Sequence, residues 1–175
     1  MTLSMNEPRP KERPQKVVVV KEKRRYKHKT ERQLLIGKLD HVIREIILDR
    51  DLRCVCVATN GHKGTRTSGH LISRTRESVR WDLYNVHEQC GGHNMLHEYQ
   101  PERFTSWFLE KFGVEQYSRL VQDAEEVKKL QLYELQEMLD QLKKIRQKQL
   151  QSVLMGEPYK PYYTQKDILS GAWSK

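Results

Sequence analysis

Apolar residues recur at helical spacing near the start of the chain and again toward its end, and lose that spacing in between. In "TERQLLIGKLDHVIREIILDRD", Leu35, Leu39, Val42, Ile43, Ile46 and Ile47 fall on one face, with Thr30 placed as an N-cap. His41 lies in this stretch as an ordinary helix residue. From Leu52 to about Tyr99, Gly, Thr, Ser, Cys and His become frequent and the helical period is lost. There "RCVCVA" and "SGHLIS" read as short strands joined by the turn "TNGHKGT", and "HNMLHEY" as the start of a helix after a Gly91-Gly92 turn. "PERFTSWFLEKFG" reads as an amphipathic helix with Phe104, Trp107, Phe108 and Phe112, opened by Pro101 and ended by Gly113.

A long charged segment of high helix propensity follows, over 114–155. Leu132, Leu135, Leu139 and Leu142 are spaced 3, 4 and 3 along it. Such a seam serves either to pair two chains as a homodimer or to pack on its own domain. Residues 156–175 read as a loosely ordered tail, and 1–29 as a disordered basic arm. Lys23, Arg24 and Arg25 in that arm suit either solubility or phosphate binding. A central domain, with its leading and following helices, would then occupy 30–113.

Composition narrows the class. The 175 residues are 37% hydrophobic and 31% charged, too polar for one large core, so solvated helices around a small centre are expected. The net charge of +9 favours a polyanionic partner. No apolar run approaches a membrane span; the longest, Val17–Val20, is fenced by lysines. A soluble, cytoplasmic chain is expected, with no membrane partner. Three cysteines in a reducing compartment point to metal ligation or buried thiols rather than disulfides.

All three cysteines lie in the aperiodic middle. Cys54 and Cys56 form one short pair, and Cys90 and His93, bent around Gly-Gly, form another. Two such pairs supply four soft or borderline donors for a structural Zn²⁺. Between them stands His70, a residue type suited to general-base work near neutral pH. Asn85 and Asn94 follow it, Asn94 directly after His93. Histidine, then asparagine, then a ligand on a following helix is the order of an HNH, or ββα-metal, nuclease site. There His70 would deprotonate water, Asn85 would orient His70 by a hydrogen bond, and Asn94 would hold a catalytic Mg²⁺ or Mn²⁺. Arg74, Arg76 and Arg80 flank the site as DNA-backbone contacts. In a rival layout His93 and His97 hold the catalytic ion and no structural zinc exists.

"LRCVC", "SGHLISR", "RWDLYNVHEQC" and "HN" together resemble the NinG (Rap) recombination proteins of lambdoid phages. In that family a cysteine knuckle follows a basic helix, then come Gly-His, Asn-(Ile/Val)-His-x-Gln-Cys and a second knuckle closed by Cys-Asn. The resemblance covers about Leu39 to Phe112. The spacing from Cys90 to Asn94 is also similar to that of the junction resolvase endonuclease VII. The resemblance implies an α+β fold, a zinc-stapled HNH-like core flanked by helices, and an endonuclease acting on branched DNA such as Holliday junctions or D-loops. Two features depart from the pattern. The first knuckle is Cys-x-Cys, and His93 stands where the family has cysteine. Gly69 precedes His70 where many HNH enzymes place an ion-binding Asp, though NinG proteins also carry Gly there. His87 and His97 are then the candidates to help hold the ion. The competing reading is a non-catalytic, zinc-stapled DNA-binding module; a helical partner protein with an incidental knuckle is a third.

Overall fold

The computed structural model describes residues 28–56, 62–157 and 159–174, so Lys23, Arg24 and Arg25 lie outside the described residues. Helix α1 spans Glu31–Asp51, strand β1 Arg66–His70, strand β2 Val86–Cys90 and helix α2 Gly91–Leu96. Helix α3 follows at Glu102–Glu125, α4 at Leu132–Leu154 and α5 at Gln165–Ser170, with a short 3₁₀ turn at Ala172–Ser174. The fold is α+β, with a two-stranded antiparallel sheet set among helices.

Helix α1 starts where the sequence places it. Thr30 Oγ1 accepts from Gln33 N at 3.3 Å and Gln33 Oε1 accepts from Thr30 N at 3.0 Å, a reciprocal cap for two otherwise orphaned donors. It ends at Leu52, which adopts a left-handed conformation with φ of 62°. Leu35, Leu39, Ile43, Ile46 and Ile47 are buried. Their partner is α4, through Leu135, Met138, Leu139, Leu142 and Ile145, and Gln149 Nε2 donates to the Ile46 carbonyl at 3.1 Å. Of the two uses the spacing allows, this is packing on the chain's own domain. Leu135 and Leu142 are fully buried in the chain's own core, and of the four leucines only Leu132, 43% exposed, faces solvent.

The middle of the chain departs from the expected strands. The pairing partner of β1 is "VHEQC", with His70 opposite Val86 and Gly69 opposite His87. Residues 54–56 form a turn, and 57–61 lie outside the described residues. All five β2 residues are buried, although three are polar. Glu88 receives Arg66 Nε at 2.8 Å, and its own backbone N–H donates to Asp51 Oδ2 at 2.9 Å.

The segment 114–155 is not one extension. Helix α3 breaks at Gly113, whose φ of 83° suits glycine, and then resumes to Glu125. The stretch after 156 is also folded. Leu83 N donates to the Tyr163 carbonyl at 3.0 Å, and Ile168, with Tyr159, Tyr163, Leu169 and Trp173, joins the α1–α4 core. Among the described residues, no helix is long and apolar enough to cross a membrane.

Candidate functional site

Four side chains converge where α1, the hairpin and α2 meet. Cys54 comes from the turn after α1, His62 from the stretch before β1, Cys90 from the end of β2 and His93 from the first turn of α2. Their ligand atoms all lie within 4.8 Å of one another. His93 Nδ1 is 3.2 Å from Cys90 Sγ and 3.5 Å from Cys54 Sγ. Two thiols and two imidazoles at this spacing fit a tetrahedral Zn²⁺.

Three of the four expected ligands are therefore brought together, and the fourth differs. His62 takes the place expected for Cys56. Cys56 is buried beside Cys54, accepts a weak hydrogen bond from Gln89 Nε2 at 3.7 Å, and lines a separate small cavity with Phe104 and Arg103. A hydrogen bond between the two thiols pushes Cys54 well above the ordinary thiol range and Cys56 down to about 7. The only trace of His62 in the sequence is a histidine inside a turn-like "TNGHKGT".

The Gly-Gly step explains how His62 arrives. Gly91 N donates to the Thr65 carbonyl and Gly92 N to the Lys63 carbonyl, both at 2.9 Å. The 63–65 backbone thus lies directly on the start of α2. A Cβ on Gly92 would stand 3.4 Å from Lys63 Cβ and 3.5 Å from its carbonyl oxygen, which shows how closely the segment after His62 packs on the start of α2.

Beside this cluster opens a cavity of about 500 Å³. Asp40 and Ile43 of α1, Ser68 and His70 of β1, Ser73 and Arg74 of the next loop, and Asn94, His97 and Glu98 line it. His70 Nε2 lies 3.0 Å from the Arg80 carbonyl, which can only accept, so the imidazole proton sits on Nε2. Among the described residues nothing bonds its Nδ1. Burial pushes the His70 pKa down to about 4, outweighing the Arg80 carbonyl and the Asp40 charge that favour protonation. At neutral pH His70 is an uncharged imidazole with a bare Nδ1 on the cavity wall.

Asn85 does not bond the His70 ring, which corrects the expected contact. Its Oδ1 accepts from Ile72 N at 2.7 Å, and its Nδ2 donates to the Ile72 and Val79 carbonyls at 3.0 and 2.9 Å. It ties together the two ends of the loop that leaves His70 and returns at Arg80, and so acts on His70 through the backbone. Asn94 reaches the cavity from α2. A Cβ on Gly69 would stand 1.9 Å from Gln89 Oε1 and 2.8 Å from Asn94 Oδ1, so any side chain before His70 has to displace both of these side-chain ends. His97 Nε2 is 3.1 Å from the Leu71 carbonyl, and its buried Nδ1 has no hydrogen-bond partner among the described residues.

The rival layout is not assembled: His93 belongs to the thiol cluster and the His97 ring is anchored on Leu71. His87 is not a ligand either. Its Nδ1 faces Arg50 Nη2 at 2.7 Å, its Nε2 meets the Tyr84 carbonyl at 2.9 Å, and Trp107 packs on its ring. Arg80 is spent on Asp40, at 2.7 and 3.0 Å, leaving Arg74 and Arg76 exposed beside the cavity.

No curated protein and no solved structure matches the chain. The model of one family, the Bacteriophage Lambda NinG protein, matches residues 4–152. That span takes in the thiol–imidazole cluster, the hairpin and the cavity-lining residues, and on it the chain belongs to the NinG family of bacteriophage recombination proteins.

Proposed function

We propose that the protein is a metal-dependent endonuclease of the HNH, or ββα-metal, type, cutting branched DNA such as Holliday junctions or D-loops. The observation that carries this reading is His70: a buried, neutral imidazole with its proton fixed on Nε2 and Nδ1 left bare at an open polar cavity. A group in that state accepts a proton from water attacking a phosphodiester. The hairpin followed by α2 sets His70 on a strand and Asn94 on the next helix, the order such a site requires.

The cavity residues fit a divalent cation. Asn94 offers an amide oxygen, and the unpartnered His97 Nδ1 is a donor atom without another use. Mg²⁺ or Mn²⁺ keeps several waters and takes phosphate oxygens for the rest of its shell, so two protein donors suffice. When bound, such an ion stabilises the charge that develops on the phosphate oxygens. Arg74 and Arg76 hold the DNA backbone. The Cys54–His62–Cys90–His93 cluster carries zinc and fixes α2, which sets Asn94 and His97 against His70.

The test is Mg²⁺- or Mn²⁺-dependent nicking of a four-way junction. His70→Ala should lower turnover by at least about 10² while binding to the junction persists. Binding by the parent with no nicking in either metal would leave a zinc-stapled DNA-binding module.

A further inference from the structure

We infer that Asp40 and Gln165 are positioning residues: together they lock the peptide between Arg80 and Trp81, whose carbonyl takes the His70 Nε2 proton and so leaves Nδ1 bare. The inference rests on the reading of His70 as the proton acceptor.

Both halves of that peptide are engaged. Its carbonyl accepts from His70 Nε2 at 3.0 Å, and its N–H, from Trp81, donates to Gln165 Oε1 at 2.9 Å. The side chains on either side of it converge on one carboxylate. Arg80 Nε and Nη2 reach Asp40 Oδ1 and Oδ2 at 3.0 and 2.7 Å, and Trp81 Nε1 reaches Asp40 Oδ1 at 3.0 Å. Trp81 is wholly buried, so it cannot swing to keep that bond if the backbone turns. A rotation that took the carbonyl off His70 would break the Gln165 bond too and pull both side chains against Asp40.

Gln165 is itself held. It is 3% exposed, its Nε2 donates to the Glu77 carbonyl at 2.9 Å, and its backbone N–H donates to Asp82 Oδ2 at 3.2 Å. It lies in α5, beyond residue 152, where the family match ends. Asp40 lines the cavity but is unsuited to hold the ion. Three donors occupy its oxygens and two of them belong to the charged Arg80 guanidinium, so a second cation there would face that group. The charged groups around His70 are Asp40 from α1, Arg74 and Arg80 from the loop, and Glu98 after α2, with His97 as the other titratable wall residue.

The experiment reads which imidazole nitrogen carries the proton, by long-range ¹H–¹⁵N correlation on the zinc-loaded full chain at neutral pH. His70→Ala identifies the signal. The parent should show a single Nε2–H tautomer for His70. Asp40→Ala and Gln165→Met should replace it with an averaged pair of shifts, and junction nicking should fall at least about 10-fold in turnover with little change in KM. The isosteric Asp40→Asn, which keeps an oxygen for Trp81 Nε1, should fall between, and it serves if Asp40→Ala does not fold. A parental Nε2–H tautomer in Asp40→Ala or in Gln165→Met, with parental zinc content and melting temperature, overturns the inference. If the parent nicks no junction, the nuclease reading fails, while the tautomer measurement still decides the positioning role.

Discussion

Replacing Leu135 and Leu142 tests whether the α4 stripe belongs to this chain's core. Both side chains are fully buried against α1. Truncating a buried leucine to alanine removes its burial and leaves a cavity, at about 3 kcal/mol. The two sites are seven residues apart, roughly 10 Å along the helix, so their effects should nearly add, to about 6 kcal/mol. Domains of this size are stable by about 5–15 kcal/mol. The double variant should therefore lose between about 40% and all of that stability. With a urea m-value of about 2 kcal/mol/M, each single variant should lower the midpoint by roughly 1.5 M. Leu132→Ala, at the exposed start of the same stripe, should cost under about 1 kcal/mol. Urea unfolding followed by circular dichroism, with light scattering on the folded proteins, gives both answers. A double variant that keeps the parental midpoint while a parental dimer becomes a monomer would refute the assignment of this stripe to the core.

The purified chain should hold about one zinc, lost in Cys90→Ser together with cooperative folding of the centre; Cys56→Ser should keep the ion and His62→Ala weaken it, and the reverse pattern would return Cys56 to the ligand set. Gly69→Ala should abolish junction nicking while zinc is retained, because the new methyl group occupies the space of the Gln89 and Asn94 side chains; parental turnover would show that the strand can shift to accept it. His70 and His87, both pushed by burial from 6.5 to about 4, should each bind a proton more readily when unfolded, so the stability they contribute is full above pH 6.5 and lost as pH falls through 4, at most about 3 kcal/mol for His70. A urea midpoint unchanged between pH 7 and pH 5 would contradict this. Asp51 is raised by burial but held lower still by hydrogen bonds from His87 and Arg50, far below the carboxylate range, so its loss begins only under that window.

Sequence patterns are informative where one physical effect dominates. Helix α1 was legible because a capping threonine, an apolar period and a stop coincide. His70 and Asn94, which line one cavity, stood out in the sequence by residue type and order. Strand β2 was not, since a strand covered on both faces has no alternation and "VHEQC" buries His87, Glu88 and Gln89 through partners distant in sequence. The α4 leucines present the same spacing whether they meet α1 or a second chain, so pattern alone leaves the partner open. Asn85 was found, but its partners, the Ile72 and Val79 backbones, depend on a loop path that residue types do not encode. His62 needed the close approach of 63–65 to Gly91 and Gly92 before it had any visible role.

The bonds from Leu83 to Tyr163 and from Trp81 to Gln165 have a consequence for the timing of synthesis. Helix α1 leaves the ribosome early, yet its partner helix, α4, is made some hundred residues later. Contacts that distant along the chain form late in folding. A nascent chain long enough to hold His70, Asn94 and the metal ligands still lacks the residue that receives the Trp81 N–H. The peptide that meets His70 gains its Gln165 partner only after translation passes α5, so assembly of the hairpin and bracing of that peptide are separate events in maturation.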